Sequence, residues 1–437
     1  MTGDIELTDE FLAAIALMES GANMFITGKA GTGKSTLLRH FVEAAVEKKK
    51  AVAVTAFMGL AALNAGGVTL HSFFGFRIGV LQPHTIKRNP RLVPLLNKLD
   101  TLVIDEISMV RADIFEAINK SLQVHRKSSL PFGGVQIVLF GDPYQLSPIW
   151  ANYDMDNAAQ DDLEWTNRFF FETDAYRQGG FTPLILSKIF RQKDMEFINA
   201  LNNVREGCVT NKDITFLNSR QIPVNAENMT TLASVNIVVN RINESRLQKL
   251  PGQEYTYEAD MQGTFKFGMQ DNFKKDRYPA DVLLRLKEGA RIVMLRNDPG
   301  TRWFNGTLGF IHSLTQDAVT VRIPSGLHDV QRVTWEQTQY TVDPITLDMR
   351  QDIVGTFTQF PIKLAWALTI HKAQGQSFDE VLIDLGARAA FAEGQTYVAL
   401  SRCRSPEGMF LARGIVGADI KVDHRVREFM GGIEKSL

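Results

Sequence analysis

Short apolar runs along this chain alternate with segments in which apolar residues recur every three or four positions. In the first half, Asn23–Thr27, Ala51–Thr55, Thr101–Asp105 and Val135–Phe140 predict strands. Between them, Lys34–Lys48 and Ala112–Val124 predict helices, the second with Ile114, Phe115, Ile118 and Leu122 along one face. Such alternation predicts an α/β fold, a parallel sheet flanked by helices. It resumes from about Leu184 to Met430, with strands expected at Thr230–Ala233, Pro361–Thr369, Glu380–Leu385 and Gly408–Ala412. Two stretches break the rhythm. Gly75–Pro94, basic and carrying Pro83, Pro90 and Pro94, predicts a small protruding element. Ala290–Val342 holds four short runs, Arg291–Leu295, Thr307–Ile311, Ala318–Arg322 and Gln331–Trp335, which predict a small β-barrel inserted in the second sheet domain.

The chemistry sits at the ends of these runs. Gly28-Lys-Ala30-Gly31-Thr32-Gly33-Lys34-Ser35 fits G-x-x-x-x-G-K-[ST] between a predicted strand and a predicted helix, the context the motif requires. Glycines let backbone N–H groups close around phosphates, Lys34 reaches the outer phosphates and Ser35 ligates magnesium. At the end of the third run, Asp105 is expected to hold magnesium and Glu106 to polarise a water, although an acidic pair is also a common strand end. Gln145, after a fourth run, either contacts the γ-phosphate or the water, or caps a turn. Arg191 and Arg402 compete to stabilise charge on a transferred phosphoryl group, and each serves equally well as a surface ion-pair residue.

Composition narrows the setting. With 437 residues and 44% hydrophobic content, the chain needs more than one core. Its 48 basic residues balance 49 acidic ones, so a nucleic-acid site must be a local patch. Arg77, Lys87, Arg88, Arg91 and Lys98 form one candidate patch, equally readable as a solvated loop. Ala151–Trp165, acidic throughout, predicts an exposed linker. Cys208 and Cys403 are too few and too distant for a disulfide framework or zinc ribbon, and the eight histidines lack metal-site spacing. No apolar run or leader predicts membrane insertion or export, so a cytoplasmic setting is expected.

In order, GKAGTGKST (Gly28–Thr36), TAFMGLAALNAGGVTLHSFF (Thr55–Phe74), VIDEISMV (Val103–Val110) and PFGGVQIVLFGDPYQLSPI (Pro131–Ile149) lead to IFRQKD (Ile189–Asp194), RWFNGTLGFI (Arg302–Ile311), WALTIHKAQGQSFD (Trp366–Asp379) and YVALSRCRSPEG (Tyr397–Gly408). The series resembles the Pif (petite integration frequency) family of DNA helicases, near the RecD-like and Dda-like enzymes of helicase superfamily one. The resemblance implies two RecA-like domains. The first covers 1–74 and 95–180 with a wedge insertion at 75–94; the second covers 181–289 and 343–437 with an SH3-like β-barrel at 290–342.

It also implies an ATP hydrolase using Mg2+, with Gly28, Ala30, Gly31, Thr32, Gly33, Lys34, Ser35, Thr36, Gln145, Arg191, Gly375 and Arg402 around the nucleotide. Lys34, Asp105, Glu106, Gln145, Arg191 and Arg402 are the catalytic set it implies, and Ser35 and Asp105 the metal ligands. Thr55, His71, Ser72, Phe73, Thr369, His371 and Lys372 are expected along single-stranded DNA, with His71 and Phe73 stacking on bases. The implied activity is 5′ to 3′ unwinding of tailed duplexes or guanine quadruplexes by a monomer, with roles in DNA repair, recombination and telomere maintenance. A non-unwinding, ATP-hydrolysing switch in a larger complex is the alternative. Phe11 stands where family members often carry a glutamine that reads adenine, so other nucleoside triphosphates are expected to serve. Likewise, Ser147 replaces a frequent proline, and the signature expected before Pro131 is only loosely matched by Asp113–Leu122.

Overall fold

The computed structural model describes residues 8–77, 79–148, 168–220, 229–263, 278–346, 348–374, 376–386, 390 and 392–436. The acidic stretch 151–165 and Gly375 lie outside these residues. Six strands, β1 (Met24–Gly28), β2 (Val52–Ala56), β3 (Val68–Thr69), β4 (Thr101–Asp105), β5 (Gln136–Phe140) and β6 (Thr182–Leu186), form one parallel sheet. Their spatial order is β3-β2-β4-β5-β1-β6. Every residue of β1, β2 and β5 is buried, because helices cover both faces of the sheet. Helices Asp9–Glu19 and Lys34–Glu47 seal one face through Phe11, Met18, Leu37 and Phe41. Four further strands, Ala367–Thr369, Thr231–Ala233, Val381–Asp384 and Met409–Leu411, form a second parallel sheet in that order. The chain is therefore built from two RecA-like α/β domains.

Strand β6 lies beyond the boundary expected at residue 180 and belongs to the first sheet, where Pro183 sits opposite Phe25. A proline cannot donate to a ladder, and an edge strand is where a sheet tolerates it. The expected strand Pro361–Thr369 is two strands in two sheets. Ile362–Leu364 pairs antiparallel with Arg291–Met294, and Ala367–Thr369 enters the second parallel sheet. The run's one charged residue, Lys363, lies inside the first strand and not at the crossing, Ala365-Trp366, which therefore leaves no polar mark in the sequence.

The insertion also differs from the barrel expected at 290–342. Its five-stranded antiparallel sheet runs Gly326–Val330, Val319–Ile323, Leu308–Leu314, Arg291–Met294, Ile362–Leu364. The last expected barrel strand, begun at Gln331–Trp335, instead extends as Val333–Val342 into a long hairpin with Met349–Gln359. That hairpin reaches the first domain. Tyr340 is buried edge-on to Phe73, with ring centroids 5.6 Å apart, and its hydroxyl accepts from the Val54 N–H at 3.1 Å. Strand β3 pairs with β2 only at Thr55 and Ala56, so Val54 faces an edge that no strand covers. The tyrosine supplies the missing acceptor.

Helix His424–Ser436 likewise returns to the first domain, with Val426, Met430 and Ile433 in that domain's core and Phe429 stacked 4.2 Å from Phe171. The described residues of 75–94 hold the 3-10 turn Pro83–Thr85 and the start of helix Val93–Lys98, and they are clamped to helix Ala112–Arg126. Asp113 accepts from the Leu81 N–H at 2.8 Å, and His125 Nε2 accepts from the Asn89 N–H at 2.9 Å. Among the described residues no helix is long and apolar enough to cross a membrane.

Replacing Tyr340 with Phe keeps the packing but leaves the Val54 N–H without its acceptor, a cost of about 1–3 kcal/mol. The expected outcome is faster hydrogen exchange in the segment around Val54, read by mass spectrometry. Unchanged protection there would show that the hydroxyl contributes nothing to this edge.

Candidate active site

Strand β1 delivers the chain into a loop that closes over the N-terminus of helix Lys34–Glu47. Gly31 and Gly33 have φ of +84° and +85°, and both are pressed from outside. A Cβ on Gly31 would stand 2.6 Å from Arg191 Cβ, and one on Gly33 would stand 2.8 Å from the Phe11 ring. Only glycine fits such positions. Lys34 Nζ donates to the carbonyls of Gly28 at 2.6 Å and Lys29 at 3.0 Å. Burial lowers its pKa, and the carboxylates of Asp142, Glu106 and Asp105 partly restore it. Thr32 is buried, Ala30 nearly so, and Ser35 is exposed at the helix start beside half-buried Thr36.

At the end of β4, Glu106 sits in the left-handed region at φ 51°, ψ 46°, and its N–H donates to Asp105 Oδ1 at 2.9 Å. Non-glycine residues seldom adopt that conformation, and here it turns the carboxylate into the cleft. Burial raises the pKa of Asp105, and the neighbouring Glu106 adds to the rise. Glu106 is raised by burial too, against the pull of Lys34, Arg402 and a hydrogen bond from Gln374. That bond, Gln374 Nε2 to Glu106 Oε2, measures 2.9 Å, and the same nitrogen lies 3.4 Å from Gln145 Oε1.

The second domain contributes the positive charge. Arg402 is 2% exposed, and its guanidinium donates to Val398 O at 2.9 Å and Ser401 Oγ at 2.9 Å. Half-buried Arg191 donates to Ser401 O at 3.1 Å. Among the described residues neither has an ion-pair partner, and burial beside Arg191 pushes the Arg402 pKa down to about 9. Two guanidinium groups drawn partly out of water, with the Glu106 carboxylate acting on Arg402 across the cleft but no direct ion pair to either, prepare a site for an anion. No group of three or more His, Cys, Asp or Glu side chains among the described residues could hold a metal ion. Ser35 and Asp105 offer only hard oxygen donors, which suits a magnesium ion completed by phosphate and water.

Sequence reasoning missed three contacts across this cleft. Tyr397 Oη accepts from the Ala30 N–H at 2.9 Å and so braces the phosphate loop from the second domain. Gly394, at φ +70°, lies against the Gln145 loop so closely that a Cβ there would meet Gln145 O at 2.1 Å. Third, Arg205 on helix Met195–Glu206 forms a bidentate pair with Asp142 at 2.8 and 3.1 Å, both side chains buried, and stacks 4.2 Å over Tyr144. Tyr397, Asp142 and Gln374 had a signal, since they lie inside the quoted segments Tyr397–Gly408, Pro131–Ile149 and Trp366–Asp379. Arg205 reads as an ordinary basic residue in a last helical turn.

The expected DNA-lining residues divide. Thr55 is fully buried and its hydroxyl donates to Val103 O at 2.9 Å, inside the sheet. Phe73 is core, edge-on to Phe74 at 4.9 Å, and cannot stack on a base in this conformation. His71 and His371 are half-buried, and desolvation lowers the pKa of both. Ser72 is exposed. Thr369 is buried and Lys372 half-buried, with the Thr369 hydroxyl accepting the Lys372 N–H at 3.3 Å. A small open groove lies between Thr69 and Ser72 on one side and Glu336, Gln337 and Thr338 of the hairpin on the other.

A phosphate loop and acidic pair on one RecA-like sheet, faced by unpaired arginines from another, define a two-domain P-loop NTPase. Residues 7–215 match the family described as PIF1-like helicase. Over 439 aligned residues, the chain is 33% identical to the ATP-dependent DNA helicase Pif1 of Bdellovibrio bacteriovorus, covering 98% of this chain and 93% of that protein. The crystal structure of Bacteroides sp Pif1 in complex with ADP-AlF4 has a TM-score of 0.88 at 36% identity, over 99% of this chain and 98% of that one. Bacteroides Pif1 bound to ssDNA has a TM-score of 0.70 at the same identity and coverage. The chain belongs to the PIF1-like helicase family.

Breaking the Asp142–Arg205 pair from one side strands a buried charge. Arg205→Met is expected to destabilise the protein by about 3–5 kcal/mol, and the double variant with Asp142→Leu by clearly less. Chemical denaturation of both variants measures the difference. Equal losses would show that the pair is not desolvated as described.

Proposed function

We propose that this chain is an ATP-dependent DNA helicase that uses the cleft between its two RecA-like sheets to move 5′ to 3′ along single-stranded DNA. The observation that carries the reading is the positive charge of buried Arg402, brought by the second domain, and of half-buried Arg191, lying against Gly31, with neither in an ion pair among the described residues. A nucleoside triphosphate is the anion that suits it.

In this reading Lys34 exchanges the carbonyls of Gly28 and Lys29 for the outer phosphates. Ser35 and Asp105 hold the magnesium ion, which supplies charge neutralisation at the β- and γ-phosphates when bound. Glu106 accepts a hydrogen bond from the attacking water, and Gln145 orients it. Arg191 and Arg402 meet the charge that spreads over the transferred phosphoryl group, a contribution of about 10³ to 10⁵ in rate for such arginines. Because these groups arrive from a different domain, the site is complete only when the cleft is closed, and hydrolysis couples to domain movement.

For the DNA, Ser72 and Lys372 are the proposed phosphate contacts. His71 and His371, with pKa values lowered by burial, stay neutral at neutral pH and are suited to base or sugar contacts rather than to ion pairing. Thr55 and Phe73 support these residues from the core. Family resemblance is what supports the 5′ to 3′ direction and the use of tailed duplexes or guanine quadruplexes. Phe11 is buried against Gly33 and edge-on to the exposed Phe190 at 6.5 Å, and it offers no polar group to read a base, which supports tolerance of bases other than adenine.

Lys34→Ala is expected to abolish ATP hydrolysis, a loss of at least about 10³-fold, while the far-ultraviolet spectrum stays unchanged. Retained DNA-stimulated hydrolysis in that variant would overturn the site. With strand-separation substrates, unwinding is expected from 5′-tailed and not from 3′-tailed duplexes, and the reverse preference would overturn the direction.

A further inference from the structure

Glu106 and Gln145 converge on the position assigned above to the attacking water, yet another side chain points there. The Gln374 amide nitrogen donates to Glu106 Oε2 at 2.9 Å and stands 3.4 Å from Gln145 Oε1. An amide nitrogen carries two N–H donors, as a water carries two O–H donors. Held between one carboxylate oxygen and one amide oxygen, it takes the place of a water that would donate to both.

Both acceptors stand on fixed backbone. Glu106 is fixed by its left-handed backbone and by its N–H bond to Asp105. The Gln145 backbone is pinned under Gly394. If the water is to be received, Gln374 has to leave.

The element that carries Gln374 also carries the proposed DNA contacts. From Thr369 to Gln374 the chain forms one hydrogen-bonded turn. The Ala373 N–H donates to Thr369 O at 3.0 Å, that of Gln374 to His371 O at 3.2 Å, and that of Lys372 to Thr369 Oγ1 at 3.3 Å. A turn so closed moves as a unit, so a shift of His371 and Lys372 displaces Gln374 as well. We propose that Gln374 is a positioning residue that holds the water site shut in the DNA-free protein, and that nucleic acid seated on His371 and Lys372 withdraws it. DNA-stimulated hydrolysis then follows from the removal of a plug rather than from the arrival of a new catalytic group. The proposal rests on the role given above to Glu106 and on the DNA contacts proposed for this turn.

The test is steady-state ATP hydrolysis by the full chain, with and without an oligothymidylate, for the wild type, Gln374→Met and Gln374→Ala. Methionine keeps the volume and loses both N–H donors; alanine loses the volume as well. Both variants are expected to raise the DNA-free kcat about tenfold, as expected for losing one hydrogen bond to a charged group. KM for ATP should stay within about twofold and the DNA-saturated rate near wild type, so the stimulation ratio collapses. A side chain needed only for structure would lower both rates and could not raise one. A DNA-free rate that is unchanged or reduced in both variants, in a wild type that DNA stimulates, overturns the plug and leaves the helicase reading intact. Absence of stimulation in the wild type overturns both.

Discussion

Positive charge gathered in a cleft without a direct ion pair is the constraint on which this molecule turns. Arg191 and Arg402 are drawn out of water beside each other, and their hydrogen bonds go to neutral oxygens of Val398 and Ser401. Such an arrangement is costly to hold, and the surrounding contacts hold it. Tyr397 braces the phosphate loop, Gly394 lies against the Gln145 loop, and the Asp142–Arg205 pair joins the two sheets next to it. The proposed nucleotide site is therefore a property of the interface between domains.

Much of this was legible because parallel strands announce themselves. Strands β1, β2, β4 and β5 begin and end within a residue of their apolar runs, since each is buried on both faces and so reads as uninterrupted hydrophobicity. The phosphate loop and acidic pair followed from their places at strand ends. What the sequence concealed was of another kind. Thr55 and Phe73 lie in a segment whose wording belongs to DNA-lining elements, but β2 is covered on both faces, which buries Thr55, and the short helix Leu70–Phe74 turns Phe73 into the core while Ser72 faces out. Arg205 is separated from Asp142 by 63 positions, and nothing local marks either as half of an ion pair.

Domain limits were hidden for a related reason. Sequence boundaries assume that neighbours in the chain stay neighbours in the fold, whereas here three segments serve a domain other than the one around them. Strand β6 closes the first sheet from beyond its expected end. The hairpin bearing Tyr340 leaves the insertion to complete an edge of that sheet, and helix His424–Ser436 covers part of its core. Each is apolar where it docks, so hydropathy finds the element without finding its address.

The return of that last helix bears on how the protein is made. Val426, Met430 and Ile433 belong to the same core as Phe25 and Leu102, and Tyr340 joins them from the insertion. The first domain therefore cannot bury all of its interior until the second domain has been synthesised, and completion of its core follows, rather than precedes, the making of its neighbour.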